Sequence, residues 1–137
     1  LGARGKPALA TAPKRTRLEF NLSHSGDLAL FAFARSPVGV DVEVARPGVD
    51  VIALAGRVFG PEQVERLKSL GLPEREREFL RAWVRHEAVL KCRGAGIGTP
   101  ADERGLWLAE LDVGSEAAAA VALEGVPEEL CLWDWAS

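Results

Sequence analysis

At 137 residues, with 47% hydrophobic and 27% charged side chains, the chain has the size and balance of one ordinary soluble domain. Its 20 acidic and 17 basic residues leave a net charge of −3, which removes the electrostatic case for nucleic acid as the main partner. No apolar run approaches the length of a membrane span, so no membrane is expected either.

The N-terminal stretch 1–17 combines Gly2, Gly5, Pro7 and Pro13 with Arg4, Lys6, Lys14, Arg15 and Arg17, and reads as loop or extended chain without a signal peptide. The alternation in 18–22 predicts a short strand, followed by a polar turn over Ser23-His24-Ser25-Gly26-Asp27. The apolar run 28–34 and the segment 38–44, turned at Ser36-Pro37, predict two hairpin-linked strands. Segment 51–58 reads as a short helix, and Pro61 opens a second that runs to about Ser69. The longest helix is expected from about Glu74 to Arg93, stopped by Gly94 and Gly96. Strands at 106–111, 117–123 and 130–135 complete an order of strands, helices, strands, which argues for an α+β fold.

The polar residues carry the chemistry. In Val38-Gly39-Val40-Asp41-Val42-Glu43-Val44 the four valines share one face and Asp41 and Glu43 the other. Such a pair is either a solvent-facing edge or a site for a hard cation such as Mg²⁺. On the long helix Phe79, Trp83 and Leu90 form an apolar stripe that includes Glu87, with Lys91 four residues on. That pattern is either a Glu–Lys surface pair or a ligated carboxylate. Arg77, Arg81 and Arg85 read as the solvated outer face, and His86 as a structural histidine beside the stripe. The Ser23-His24-Ser25 segment is either a self-satisfied turn or a phosphate-binding one, His24 being able to donate to phosphate. Cys92 and Cys131 lack metal-ligand spacing and fit a reducing cytoplasm.

Taken together, Gly5-Lys6-Pro7, Phe20-Asn21-Leu22-Ser23-His24-Ser25, Gly39-Val40-Asp41-Val42-Glu43 and Trp83…Glu87…Lys91…Gly94 form an ordered set. It resembles the Sfp-type 4'-phosphopantetheinyl transferases, whose signatures are G-K-P, F-N-x-S-H-S, G-[IV]-D-[IV]-E and W-x-x-x-E-x-x-x-K-x-x-G. The resemblance runs from Gly5 to about Gly96. It implies an α+β half with antiparallel strands packed on a long helix, the whole of 1–137 forming most of the C-terminal part of a two-half enzyme. It implies transfer of the 4'-phosphopantetheine moiety of coenzyme A to a serine of an acyl or peptidyl carrier protein, with Mg²⁺ as cofactor and release of 3',5'-ADP. Carried over residue by residue, Asp41, Glu43 and Glu87 would hold the metal. Lys91 would contact the coenzyme A phosphates, Ser23 and His24 the nucleotide end, and Lys6 and Pro7 the adenine side. Glu87 is the expected base, and Glu87 and Lys91 the catalytic pair. Phe59-Gly60-Pro61-Glu62 matches the family's F-x-x-E stretch more loosely.

The chain departs from the family in length. It starts at Leu1, almost at the first motif, and contains no methionine, so an incomplete reading frame is expected, with a missing N-terminal half or self-association to complete the cleft. A non-catalytic coenzyme A or carrier-protein binding remnant is the alternative reading. An unrelated Mg²⁺ phosphohydrolase is a weaker one that leaves the first two motifs unexplained.

Overall fold

A computed structural model describes residues 18–96 and 99–135, so Lys6 and Pro7 lie outside the described residues. Two strands, β1 (Glu19–Ser25) and β2 (Leu28–Ala34), form an antiparallel hairpin in which Leu22 faces Phe31 and Ser25 faces Leu28. The hairpin turn is therefore only Gly26-Asp27, with Gly26 at φ 56°. The expected polar turn over 23–27 is corrected: Ser23, His24 and Ser25 belong to β1. Serines and asparagines leave strands when their side chains bond their own backbone. Here those side chains bond a neighbouring strand instead.

Strand β3 (Val38–Val44) does not pair with β2, contrary to the hairpin expected there. The corner at Ser36-Pro37 carries the chain into a second sheet, ordered β3-β5-β4, with β4 at Leu106–Leu111 and β5 at Ala117–Glu124. Both pairings are antiparallel, placing Asp41 opposite Ala120 and Glu110 opposite the same alanine. The strand expected at 130–135 does not form. That segment carries Trp133 and Trp135 out into solvent.

Three helices lie between β3 and β4. The first, α1 (Val51–Val58), is capped by Asp50, whose carboxylate accepts the Ala53 N–H at 3.0 Å. The second, α2 (Pro61–Ser69), has proline in its first turn, where the missing N–H is harmless. The third, α3 (Leu72–Arg93), stops at Gly94, which takes the left-handed conformation at φ 65° while Ala95 N–H reaches back to the Leu90 carbonyl.

Two apolar layers sandwich β3. Val38, Val40 and Val121 pack towards Leu30, Ala32 and Ala34 of the hairpin. On the opposite side α3 lies on the sheet through Val84, Ala88, Val89 and Cys92, against Ala120 and Ala122. Small residues on β5 let the helix come close. The stripe that docks on the sheet is thus not the one read from Phe79, Trp83 and Leu90. Phe79 and Trp83 face α1 and α2 instead, joining Ala55 and Leu67 in a separate cluster. Arg81 on the outer face is more than solvated surface, since it ties α3 to β4 through Glu110 at 2.7 Å.

Candidate functional site

The site forms where β3 passes beneath α3. Gly39, Asp41 and Glu43 alternate with the buried valines and so turn towards the helix. Asp41 is consequently buried, only 4% exposed, rather than lying on a solvent-facing edge. Its position is set by what touches it. The Ser23 hydroxyl donates to Asp41 Oδ1 at 2.9 Å, and the Lys91 ammonium donates to the same oxygen at 2.7 Å. Lys91 also donates to the Val40 carbonyl at 3.1 Å. On the neighbouring acid, the Ser25 hydroxyl donates to Glu43 Oε2 at 2.8 Å.

Glu87 stands one helical turn before Lys91, so both side chains leave α3 on the same flank, beside the stripe that docks on the sheet. Burial pushes the Glu87 carboxyl above the ordinary carboxylate range. The charges of Asp41 and Glu43 add to that rise, and Lys91 partly offsets it. All three carboxylates therefore act on one region. Among the described residues they do not close into a coordination shell as placed, and the Lys91 ammonium stands against Asp41 instead.

The donor set nonetheless fits a hard divalent cation. Asp41 Oδ2 is buried and has no hydrogen-bond partner, a costly state for a carboxylate oxygen unless something positive approaches it. Carboxylate oxygens suit Mg²⁺, which prefers hard oxygen ligands and keeps several waters.

His24 separates from its serine neighbours. Ser23 and Ser25 turn inwards and are buried, whereas His24 projects from the opposite face of β1 and is exposed. The Ser23 hydroxyl proton is already committed to Asp41, so His24 is the side chain of this segment open to a phosphate. His86 is half-buried edge-on to Phe59 at 5.8 Å, and burial lowers its pKa, in keeping with a structural histidine. Phe59 itself belongs to the α1–α2–α3 cluster, and Glu62 is exposed on the first turn of α2.

A cavity of about 220 Å³ adjoins Glu43. It is lined by Glu43 together with Val44, Val51, Leu54, Phe79 and Trp83, with Arg46 among its polar residues. Val51, Ile52 and Leu54 are partly rather than fully buried. The sequence names Asn21 and Ser25 only as members of a motif, and their contacts with β3 and, for Ser25, with Glu43 are seen only in the structure. Their signal was present in the spacing, for Asn21, Ser23 and Ser25 recur every second residue, opposite Phe20 and Leu22.

Comparison with known proteins places these features in a family. The family model described as the 4'-phosphopantetheinyl transferase superfamily matches residues 37–133. The chain is 39% identical over 133 residues to 4'-phosphopantetheinyl transferase HetI of Nostoc sp., covering 95% of this chain and 56% of that protein. It is 40% identical over 94 residues to 4'-phosphopantetheinyl transferase AcpT of Escherichia coli O157:H7, covering 68% and 47% of the two chains. To a 4'-phosphopantetheinyl transferase of Bacillus subtilis it is 32% identical over 98 residues, covering 72% and 42%. The chain thus spans about half the length of the curated relatives it matches.

Proposed function

The chain belongs to the 4'-phosphopantetheinyl transferase superfamily, and from that premise we propose that it carries the reaction centre for moving 4'-phosphopantetheine from coenzyme A to a serine of an acyl or peptidyl carrier protein. The observation that carries the proposal is the meeting of Glu87, Lys91 and the buried Asp41 at one crossing of helix and strand, with Asp41 Oδ2 lacking a partner.

In this reading Asp41, Glu43 and Glu87 hold Mg²⁺, which when bound offsets the charge of the coenzyme A pyrophosphate. Lys91 supplies a second positive charge to the phosphates, exchanging its bond to Asp41 for one to phosphate oxygen. His24, exposed on β1, takes the phosphate at the nucleotide end. Glu87 accepts the proton of the carrier serine hydroxyl as that oxygen bonds to phosphorus and 3',5'-ADP departs. A carboxyl raised by burial is a stronger base when ionised, which suits that role. The apolar cavity beside Glu43, with exposed Arg46 at its polar side, is the proposed docking place of the carrier.

Among the described residues Cys92 and Cys131 form no disulfide, in keeping with a proposed cytoplasmic setting. No helix among the described residues is long and apolar enough to cross a membrane.

A second reading, a coenzyme A or carrier-protein binding module without turnover, rests on the Lys91–Asp41 ion pair at 2.7 Å, in which the two residues would serve as structural partners of each other. One assay separates the two. The purified chain is incubated with coenzyme A, Mg²⁺ and an apo carrier protein, and the carrier is weighed by mass spectrometry. A gain of one phosphopantetheine supports the transferase. Binding of coenzyme A or carrier without any mass gain supports the module.

A further inference from the structure

The outer edge of β3 carries backbone donors that β5 does not use, and side chains of β1 satisfy them. Val40 N–H donates to Asn21 Oδ1 at 2.9 Å, Val42 N–H to Ser23 Oγ at 3.2 Å, and Val44 N–H to Ser25 Oγ at 3.1 Å. The constant offset means that β1 runs parallel to β3 and offers side-chain oxygens where a paired strand would offer carbonyls. An exposed strand edge is normally an aggregation liability, and this one is closed. All three side chains are buried, Ser25 at 3% exposure.

Each serine does two things at once. Its oxygen accepts a β3 N–H, and its proton goes to the next carboxylate, Ser23 to Asp41 and Ser25 to Glu43. An ionised carboxylate can only accept, so the direction of both hydroxyls is fixed. Each chain of N–H, hydroxyl and carboxylate polarises along its length. It also engages one oxygen of each acid, and at Asp41 the Lys91 ammonium shares that same oxygen, so Oδ2 is left without a hydrogen-bond partner.

We infer that Asn21, Ser23 and Ser25 are positioning residues, a side-chain ladder that stands in for a strand along β3 and orients Asp41 and Glu43 for metal binding. This rests on the reading of those acids as metal ligands. The ladder also explains why the segment alternates: the serines serve the acids from inside while His24 faces out.

The test uses the full chain with Ser25→Ala, Glu43→Gln and the double variant. Mn²⁺ affinity is measured by calorimetry, melting temperature by circular dichroism, and Val44 amide exchange by NMR in the metal-free chain. Ser25→Ala is expected to speed Val44 exchange and to weaken Mn²⁺ binding by about tenfold, the usual scale for a residue that orients a ligand. Added to Glu43→Gln, it should cause little further loss, because it acts through Glu43. Unchanged Mn²⁺ affinity in Ser25→Ala, even with a lowered melting temperature, overturns the inference and leaves a merely structural serine. So do losses that add independently in the double variant. A wild-type chain that takes up no Mn²⁺ overturns the metal reading itself, and with it the role given to the ladder, whatever the exchange rates show.

Discussion

Gly39 and Ala88 are in closer approach than any side chain allows: a Cβ placed on Gly39 would lie 2.1 Å from the Ala88 carbonyl oxygen and 2.4 Å from the Cys92 N. Both obstacles are helix backbone and cannot rotate away. This crossing sets how far α3 stands from β3, and so whether Lys91 reaches Asp41 at 2.7 Å. Gly39→Ala should push the helix off the strand. The expected result is a loss of about 1–3 kcal/mol of stability by denaturant titration, with any transferase activity falling more steeply than stability. Wild-type values for both would mean that the helix can shift without consequence.

Lys91→Ala removes the partner of a buried carboxylate. The Asp41 side chain is 6% exposed while that of Lys91 is 29% exposed, so the ion pair is only partly screened. A stability loss of about 1–3 kcal/mol is expected, below the range for fully buried pairs. Coenzyme A affinity should fall roughly tenfold or more with the lost charge-assisted contact. Calorimetric titration with coenzyme A distinguishes the roles, since unaltered affinity would leave Lys91 as a structural partner of Asp41 alone.

Glu87→Gln should separate stability from function. The folded protein holds this carboxyl above its ordinary value of 4.5 because burial, and then Asp41, disfavour its charge. The favourable contribution is therefore complete below that ordinary value and is lost as pH rises through the elevated one. At neutral pH the glutamate is a burden on the metal-free fold, and the neutral amide should raise the melting temperature. Transfer should drop by about 100-fold or more, as expected for loss of a general base. A variant that is less stable at pH 7 would contradict the electrostatic account.

His86 carries the opposite sign. Burial lowers its pKa below 6.5, against a smaller upward pull from Glu103. Stability from the neutral ring is present above 6.5 and is lost as pH falls through the lowered value. Urea titrations at pH 7.5 and pH 5 should show a decline in the wild type that is smaller in His86→Gln. Equal declines would place the acid sensitivity elsewhere.

Charge reversal at Arg46 tests the docking proposal. Arg46 is exposed and lines the cavity that also contains Glu43 and Trp83. Arg46→Glu should raise the apparent KM for an acidic carrier severalfold, in proportion to lost electrostatic steering, and leave coenzyme A affinity near the wild-type value. A carrier KM that does not move would put the docking surface on another face.

Much of this protein was legible in its residues because local rules set local structure. The period-two pattern of Val38–Val44 defined β3, and its polar positions named Asp41 and Glu43. Proline at the start of α2 and glycine at the end of α3 marked helix limits to within a residue or two. The four-residue step from Glu87 to Lys91 put both on one flank, because a helix repeats every 3.6 residues. Pairing between distant segments was another matter. Nothing local says that Val38–Val44 would leave Leu28–Ala34 for Ala117–Glu124, or that 130–135 would find no partner strand. The serines of β1 looked like turn residues, for in isolation their hydroxyls would bond their own backbone. Only the approach of β3 gave them N–H donors and carboxylates instead. The face of Asp41 was equally undecidable from the strand alone. Burying a carboxylate is unfavourable until Ser23 and Lys91 arrive from elsewhere in the chain, and only tertiary packing brings them there.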